Sequence, residues 1–263
     1  MKRYWSSYKL FFTLGIQKFL TYRADSYMHL FIGNTAWSFF TVFSIYALTS
    51  KTQGMFGWSR EELIILSCIY NVFIGIFSII FMRNLQELSE IINSGKLDGY
   101  LLKPVDSQFL LSVKTVHVSS ILRTLIGFVI AVIAVITFKT SISAINILLF
   151  IPMLIAGELL LYSLLFIIST SLIWYPRLDN LTDLFYTIRG FGRYPQGVYQ
   201  QLPQLIFLLL APFIILLATP TKVLLGKAST TEVIELLILS AVFFITSRIF
   251  WRYSLRFYTS ASG

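Results

Sequence analysis

Residues 82–112, MRNLQELSEIINSGKLDGYLLKPVDSQFLLS, form the one long polar stretch between two strongly apolar runs. Its first half places apolar side chains three and four residues apart, which predicts a helix with one apolar face, made of Leu85, Leu88, Ile91 and Ile92. Gly95 is placed to end that helix, since glycine adopts the left-handed conformation found at helix C-termini. A second, short helix over 97–102 must end before Pro104, because proline pushes the residue before it out of the helical region. The sequence therefore predicts a helix–glycine–short helix–proline element that lies in water between two membrane spans.

The composition indicates a membrane protein. The 263 residues are 56% apolar and 13% charged, with a mean hydropathy of +0.76, whereas a soluble domain has roughly 25% charged residues. The net charge of +9 is spread along the chain, which is typical of cytoplasmic loops and anionic headgroups. We therefore expect the lipid bilayer as a partner, and no nucleic acid. The single cysteine, Cys68, excludes an internal disulfide.

Apolar runs of about 20 residues, the length that crosses the hydrocarbon core, predict six membrane-spanning helices. Before them, residues 4–23 alternate aromatic and basic side chains, which favours an amphipathic helix in the plane of the interface. A frayed first turn of the next span is the alternative. The six predicted spans are 27–49, 63–81, 116–138, 145–168, about 172–192 and 233–251.

The run 204–226 leaves two topologies open. It is strongly apolar but contains Pro212 and Pro220, and hydropathy alone makes it the fifth span. Two prolines at this spacing also suit a helical hairpin that enters the membrane and returns on the same side, with the less apolar 172–192 as the fifth span. Non-helical backbone is tolerated at membrane depth where protein covers it.

The basic residues predict the orientation. With the N-terminus in the cytosol, fifteen of the 21 lysines and arginines fall on the cytosolic side and five on the outer side, while Arg123 lies within a span. Because cytoplasmic loops carry the excess of basic residues, both termini are predicted to be cytosolic. The 82–112 element is cytosolic in either topology.

Four polar side chains are predicted to lie well inside the membrane: Asn34, Asn71, Arg123 and Glu158. Charges inside a bilayer are costly and usually paired, and the compatible depths of Arg123 and Glu158 predict an ion pair between neighbouring helices. The alternatives are a role in the passage of substrate or protons, or an Arg123 side chain that reaches the headgroups. The two asparagines are expected to form hydrogen bonds across helices.

The sequence predicts no catalytic set and no metal site, because His29 and His117 have no companions at metal-ligand spacing. It also predicts no nucleotide site. The letters Gly226-Lys227-Ala228-Ser229 lack the glycine spacing of a P-loop and the hydroxyl directly after the lysine. If ATP drives this protein, another chain must therefore bind it.

Several motifs, in this order, resemble those of the permease subunits of ABC type-2 exporters. The nearest likeness is to their small branch, in which two different permeases occur beside one ATPase. The likeness covers nearly the whole chain. It comprises the N-terminal interfacial helix before six spans, SGKLDGYLLKPV at 94–105, GRYPQGVY at 192–199 and LLAPFIILLATPTKVLLGK at 209–227.

This resemblance implies an all-α polytopic protein of the bacterial cytoplasmic membrane, with residues 1–263 as a single transmembrane permease domain. It implies a re-entrant helical hairpin on the outer side over 196–226, and the residues assigned to this region are Tyr194, Pro195, Tyr199, Pro212 and Pro220. It also implies partner ABC ATPase subunits, which carry the ATP and magnesium, and a second permease that is identical or paralogous.

In such a transporter the 82–112 element is expected to be the coupling helix, which docks in a groove of the ATPase. The residues expected to form it are Gly95, Lys96, Leu97, Asp98, Leu101, Leu102, Lys103 and Pro104. The three leucines would be apolar anchors and the charged residues a rim, which is the composition that a protein interface needs. The alternative is a connecting loop whose leucines rest on the membrane surface.

Two other classes of function are weighed against this one. A stand-alone channel or ion-coupled carrier would use Arg123 and Glu158 and would work without an ATPase. A membrane-embedded enzyme is disfavoured, because the sequence has no clustered histidines, cysteines or acids.

Overall fold

The computed structural model describes residues 2–21, 35–50, 54–175, 183–184, 187 and 190–259, without the side chains of 2–7, 18 and 19. Its α-helices are α1 (Lys2–Thr21), α2 (Ala36–Leu48), α3 (Arg60–Phe77), α4 (Arg83–Asn93), α5 (Leu97–Leu101), α6 (Ser107–Val113), α7 (Ser119–Thr137), α8 (Ala144–Thr170), α9 (Gln204–Leu224) and α10 (Thr230–Ser254). Short 3-10 turns occupy Ser171–Ile173, Phe191–Arg193 and Gln196–Tyr199. The strands found in the described ranges are β1 (Gly54–Met55) and β2 (Trp58–Ser59), which pair antiparallel.

Among the described residues, five helices are long and apolar enough to cross a membrane: Arg60–Asn93, Ser119–Thr137, Ala144–Ile173, Gln204–Leu224 and Thr230–Ser254. This confirms the predicted all-α polytopic membrane protein. α2 is also apolar but has only 13 residues. The first eight residues of the predicted first span, 27–49, and about half of the predicted fifth span, 172–192, lie outside the described residues.

The longest helix carries the chain from one end of the molecule to the other. α3 continues into α4 through a π-helical turn, Ser78–Met82, so that Arg60–Asn93 is one helix of 34 residues. At 1.5 Å per residue this is about 51 Å, compared with about 30 Å of hydrocarbon. The helix thus continues past residue 81, where the sequence predicts the span to end, into the half of the 82–112 element that the sequence predicts to be helical.

The physical reason is that the polar residues after 82 change the surroundings of the helix without changing its buried face. The stripe predicted from spacing is buried throughout: Leu85, Leu88, Ile91 and Ile92. At the other end, Ser59 and Glu62 form a capping box that starts the helix. Gly95 ends it as predicted, with a φ of 71°.

α3 is the centre of the first half of the molecule. α7 packs along α3 with a very short distance between the two backbones, because each helix has a glycine that faces the backbone of the other. A Cβ at Gly75 would lie 3.0 Å from the Thr124 nitrogen, and a Cβ at Gly127 would lie 3.0 Å from the Val72 nitrogen. On the other side, α2 packs on α3 and accepts a hydrogen bond from Ser67.

α8 is the centre of the second half, because it packs against both α9 and α10. α9 is a single helix that contains both Pro212 and Pro220. The prolines therefore do not mark the turn of a hairpin. Phe191–Arg193 packs on α9, where a Cβ at Gly192 would lie 3.3 Å from the Phe213 carbonyl oxygen.

Two ends of the molecule can be distinguished by their contacts. At the β end, the β1–β2 hairpin and the start of α3 meet the α9–α10 connection, where Lys227 pairs with Glu62 and Lys222 pairs with Glu232. At the opposite end, which we call the α5 end, lie residues 83–117 and the last turns of α10. Gly15 of α1 packs on Val116, so α1 also reaches the α5 end.

Candidate functional site

α5 presents an exposed apolar pair at the α5 end. Leu102 is 86% exposed and Leu101 is 38% exposed. Leu97, which the sequence grouped with them as an anchor, is fully buried and belongs to the core of this chain. Its side chain is therefore not available to a partner, because α5 is amphipathic and turns this position inward. The exposed surface that remains is Leu101 and Leu102.

Charged residues surround this apolar pair. Lys96 forms an ion pair with Glu90 at 2.9 Å, and the Lys103 ammonium lies 4.8 Å from the centre of the Tyr100 ring. Pro104 is exposed and follows directly. Asp98 faces the C-terminal segment, where burial and the Asp98 carboxylate raise the pKa of the Tyr258 hydroxyl.

Asn84 ties the long helix to the segment that follows α6. Its side chain is 1% exposed. It donates hydrogen bonds to the carbonyls of Ile80, Ser112 and Thr115, at 2.6, 2.9 and 2.9 Å. It accepts hydrogen bonds from the backbone N–H and the hydroxyl of Thr115. About one turn before Asn84 in the long helix, the Ile79 carbonyl accepts a hydrogen bond from the His117 N–H at 2.9 Å. The chain just before α4 is thus bonded to the chain just after α6, so α4, α5 and α6 form a closed element.

Glu87 adds an ion pair to this closure. It contacts Lys114 at 2.8 Å and Arg83 at 2.7 Å. Burial raises the pKa of Glu87, but the hydrogen bonds from Lys114 and Arg83 outweigh it and hold the pKa below its ordinary value. The Lys114 side chain is only 11% exposed, so the pair is partly shielded from solvent.

We expect the Glu87 pair to stabilise the protein at neutral pH and to lose its effect in acid. A carboxylate with a lowered pKa stabilises the fold above its unfolded value of 4.5, and this contribution is lost as the pH falls through the folded value. Glu87→Gln should therefore lower the thermal midpoint at pH 7 by a few degrees, for a loss of roughly 1 kcal/mol. Thermal denaturation in mild detergent from pH 7 to pH 3 measures this. A gap to the wild type that persists at pH 3 would contradict the assignment.

A second polar cluster joins α6 to α10 and α8. Asp106 accepts two hydrogen bonds from the Arg248 guanidinium, at 2.6 and 2.8 Å. Arg248 also donates to the Gln108 carbonyl oxygen at 3.1 Å. The Gln108 amide donates to the hydroxyls of Tyr162, at 3.1 Å, and Ser247, at 3.4 Å. Burial raises the pKa of Asp106, but hydrogen bonds from Arg248 and from the Phe109 N–H outweigh it and hold the pKa below its ordinary value.

Two further hydrogen bonds complete this cluster. The Ser112 and Tyr162 hydroxyls lie 2.8 Å apart, and the Trp251 indole donates to the Ser107 hydroxyl at 3.0 Å. We call this set the inner polar cluster: Asp106, Ser107, Gln108, Ser112, Tyr162, Ser247, Arg248 and Trp251. No local pattern in the sequence points to these contacts, and Arg248 counts there only as one of the basic residues on the cytosolic side.

The predicted ion pair between Arg123 and Glu158 does not form. The two side chains are 6% and 7% exposed, and neither Glu158 oxygen has a hydrogen-bond partner among the described residues. The reason is the helix arrangement, since α7 packs along α3 whereas α8 packs on α9 and α10. Similar depth in the bilayer therefore does not make these two charges neighbours.

The asparagine predictions have different outcomes. Asn71 is fully buried, but its amide donates to the Ser67 carbonyl of its own helix, at 3.0 Å. The expected bond across helices is thus wrong for this amide, because Asn71 faces Gly127, which has no side chain to offer. Asn34 lies outside the described residues.

The residues predicted for the hairpin region lie in two parts. Tyr194 and Pro195 stand between the 3-10 turns, and the buried Tyr199 donates to the Phe191 carbonyl at 2.9 Å. Pro212 and Pro220 lie within α9. In the part of the chain that the structure describes, no three His, Cys, Asp or Glu side chains are grouped to hold a metal ion.

Comparison with protein-family models gives one result that bears on this arrangement. A family described as ABC-2 family transporter protein matches residues 35–262. The match includes the long helix, the element with the exposed leucines and the inner polar cluster. A search of curated protein sequences gives no match.

Proposed function

Because the chain belongs to the ABC-2 family of transporter proteins, we propose that it is the permease subunit of an ATP-driven exporter whose ATPase is a separate chain. Family membership makes the chain a multi-pass membrane permease, and permeases of this family associate with ABC ATPase subunits in general. ATP and magnesium would bind to those subunits. The cargo path would form between this permease and a second one, identical or paralogous.

The observation that carries the proposal is the exposure of Leu102, at 86%, in a polar part of the molecule. An exposed leucine on a membrane span needs no explanation, because lipid covers it. Leu102 instead follows a five-residue helix between Lys96 and Lys103, beyond the apolar part of the longest helix. An apolar centre with a charged rim is what a protein interface requires, so α5 is suited to dock in a groove of the ATPase.

A docking helix can drive a transporter only if it is held firmly. α5 meets this requirement because its flanking segments are closed by Asn84 and anchored by Leu97. ATP binding would then act by stabilising one of two arrangements of the permease through α5, which is a shift between two states by a ligand on another chain.

The contacts at the two ends support the proposed topology. The C-terminal segment and α1 both contact the α5 end, which agrees with both termini being cytosolic if α5 is cytosolic. Residues 196–226 would be a re-entrant segment on the outer side of a bacterial cytoplasmic membrane. In support, a Cβ at Gly197 would lie 2.3 Å from the Phe56 Cβ, and Lys227 pairs with Glu62, so the segment begins and ends beside the β end.

The test is to place a negative charge on the exposed pair. Leu101→Asp and Leu102→Asp should leave the yield and thermal midpoint unchanged, since both side chains are exposed. They should abolish co-purification of an ATPase in mild detergent and the stimulation of its ATP hydrolysis. Ser141→Asp is the matched control. Ser141 is also exposed, but it lies in the α7–α8 connection, at the end of the molecule opposite α5.

The outcomes separate this function from its alternatives. A co-purified chain supports the proposal only if it contains a P-loop and if the permease stimulates its ATP hydrolysis. Unchanged binding and stimulation in both leucine variants would mean that α5 merely rests on the membrane surface. Solute flux through vesicles that contain the purified chain alone would instead favour a stand-alone channel or ion-coupled carrier that uses Arg123 and Glu158.

A further inference from the structure

The inner polar cluster raises a question about how motion of α5 would reach the membrane spans. In sequence, α5 and α6 lead directly to α7. In the structure, residues 114–118 between α6 and α7 are not helical, and Thr115 and His117 bond to Asn84 and Ile79 of the long helix. The side chains of α6 instead bond to two helices that are distant in sequence, α8 and α10.

The contacts to α10 are the strongest of the cluster. Asp106 and Arg248 form a bidentate, charge-assisted pair with both bonds under 2.9 Å, which fixes direction as well as distance. Gln108 bonds to the neighbouring Ser247 and Arg248, and Ser107 holds Trp251 one turn further along. α6 is thus attached to two successive turns of α10.

The contacts to α8 converge on one hydroxyl. Tyr162 bonds to both Gln108 and Ser112, one helical turn apart on α6. Gln108 is 1% exposed and Tyr162 is 5% exposed, so water cannot easily replace these bonds. Displacing α6 without moving α8 and α10 would therefore leave several buried polar groups unpaired, which is costly.

We propose that Asp106 and Arg248 are positioning residues that transmit displacement of α5 to α10, and that Gln108 and Tyr162 do the same for α8. This inference rests on the proposed function, since it assumes that an ATPase moves α5. It specifies the route of the motion. Displacement of α5 would reach α8 and α10 through the side-chain contacts of α6, and not α7 through the backbone that connects α6 to it.

The test measures motion at the far end of α10 in the complex with the ATPase. Spin labels are placed at Thr231→Cys, at the start of α10, and at Ser50→Cys, just after α2, in a Cys68→Ser background. Both labelled positions are exposed. Electron–electron resonance then compares the label distance without nucleotide and with ATP and vanadate in lipid nanodiscs.

We expect a nucleotide-dependent change of distance in the otherwise wild-type protein and none in Asp106→Asn. That variant should still bind the ATPase, because its α5 surface is unaltered, but stimulated ATP hydrolysis should fall by about tenfold, as coupled neighbouring residues allow. The charge exchange Asp106→Arg with Arg248→Asp should restore at least part of the distance change. Arg256→Gln is the control, because Arg256 is an exposed basic residue just after the same helix and lies outside the cluster.

The possible results distinguish a failure of the proposed route from a failure of the proposed permease function. A wild-type distance change in Asp106→Asn, or a folded exchange variant without any recovery, overturns the route and leaves the permease function standing. If Asp106→Asn does not fold, Tyr162→Phe removes one hydroxyl and keeps the ring, and it should reduce the distance change. Tyr162→Phe with the full distance change would then overturn the route. Failure of the unmodified chain to bind any ATPase would instead overturn the proposed function.

Discussion

Gly157→Val should drive α8 and α9 apart and sharply reduce the amount of folded protein. A Cβ at Gly157 would lie 2.2 Å from the Leu216 carbonyl oxygen and 3.1 Å from the Phe73 ring. The first contact is with backbone and cannot be relieved by a change of rotamer. Overpacking costs roughly 1–3 kcal/mol when side chains can adjust, so we expect about 3 kcal/mol or more here.

The close approach at Gly157 has a chemical origin in α9. Proline has no N–H, so Pro220 leaves the carbonyl four residues before it, that of Leu216, without its intrahelical hydrogen bond. Gly157 lies against that same carbonyl. Only a residue without a side chain lets the backbone of α8 cover it, and small residues are the usual means of close helix contact in membranes.

The measurement is the monodisperse fraction and thermal midpoint of the protein after extraction in mild detergent. Gly99→Val is the matched control, because a Cβ at Gly99 would meet nothing within 4 Å. We expect the control to extract like the wild type and Gly157→Val to aggregate or to melt well below it. Equal midpoints for the two variants would show that α8 and α9 do not pack as described.

The parts of this fold that could be predicted from the sequence are those that depend on local spacing. The apolar stripe from Leu85 to Ile92 and the helix end at Gly95 both follow from residues within two or three turns of each other. Hydropathy likewise indicates the long apolar helices, because the need to bury apolar surface in lipid acts on each segment separately.

The parts that could not be predicted depend on which helices are neighbours. Asn84 bonds to residues 28 and 31 positions away, and Arg248 bonds to Asp106 across 142 positions. No local pattern encodes these pairs. The expected pair of Arg123 and Glu158 fails for the same reason, since depth along a helix axis says nothing about which helix lies beside it or which way a side chain faces.

The prolines of α9 illustrate a different limit. A proline removes one hydrogen bond and often bends a helix, so the sequence is compatible with a break at Pro212 or Pro220. In the structure α9 continues through both. At Pro220 the released carbonyl is covered by α8 at Gly157, which is 59 residues away in sequence. Sequence spacing alone therefore could not distinguish a helix that continues through both prolines from one that breaks at them.

The three leucines of the α5 region lead to the second large effect. They appear equivalent in the sequence, but Leu97 is fully buried while Leu102 is 86% exposed. Leu97→Asp would place a carboxyl group in the apolar core, where a buried polar group without partners costs several kcal/mol even when it is protonated and neutral. We therefore expect Leu97→Asp to lose most of the folded protein, and Leu102→Asp to lose none.

The comparison of these two variants separates a structural role from a role in docking. Leu97→Met is the control for the buried site, because a swap that conserves volume usually costs less than about 1.5 kcal/mol. Extracted yield and thermal midpoint measure the folding effect, and stimulated ATP hydrolysis measures docking. Leu97→Met should keep both folding and docking. Leu102→Asp should fold but lose docking, and Leu97→Asp should lose both folding and docking. A stable Leu97→Asp protein would show that α5 is not anchored in the core, and a mobile α5 could not transmit force from an ATPase to the spans.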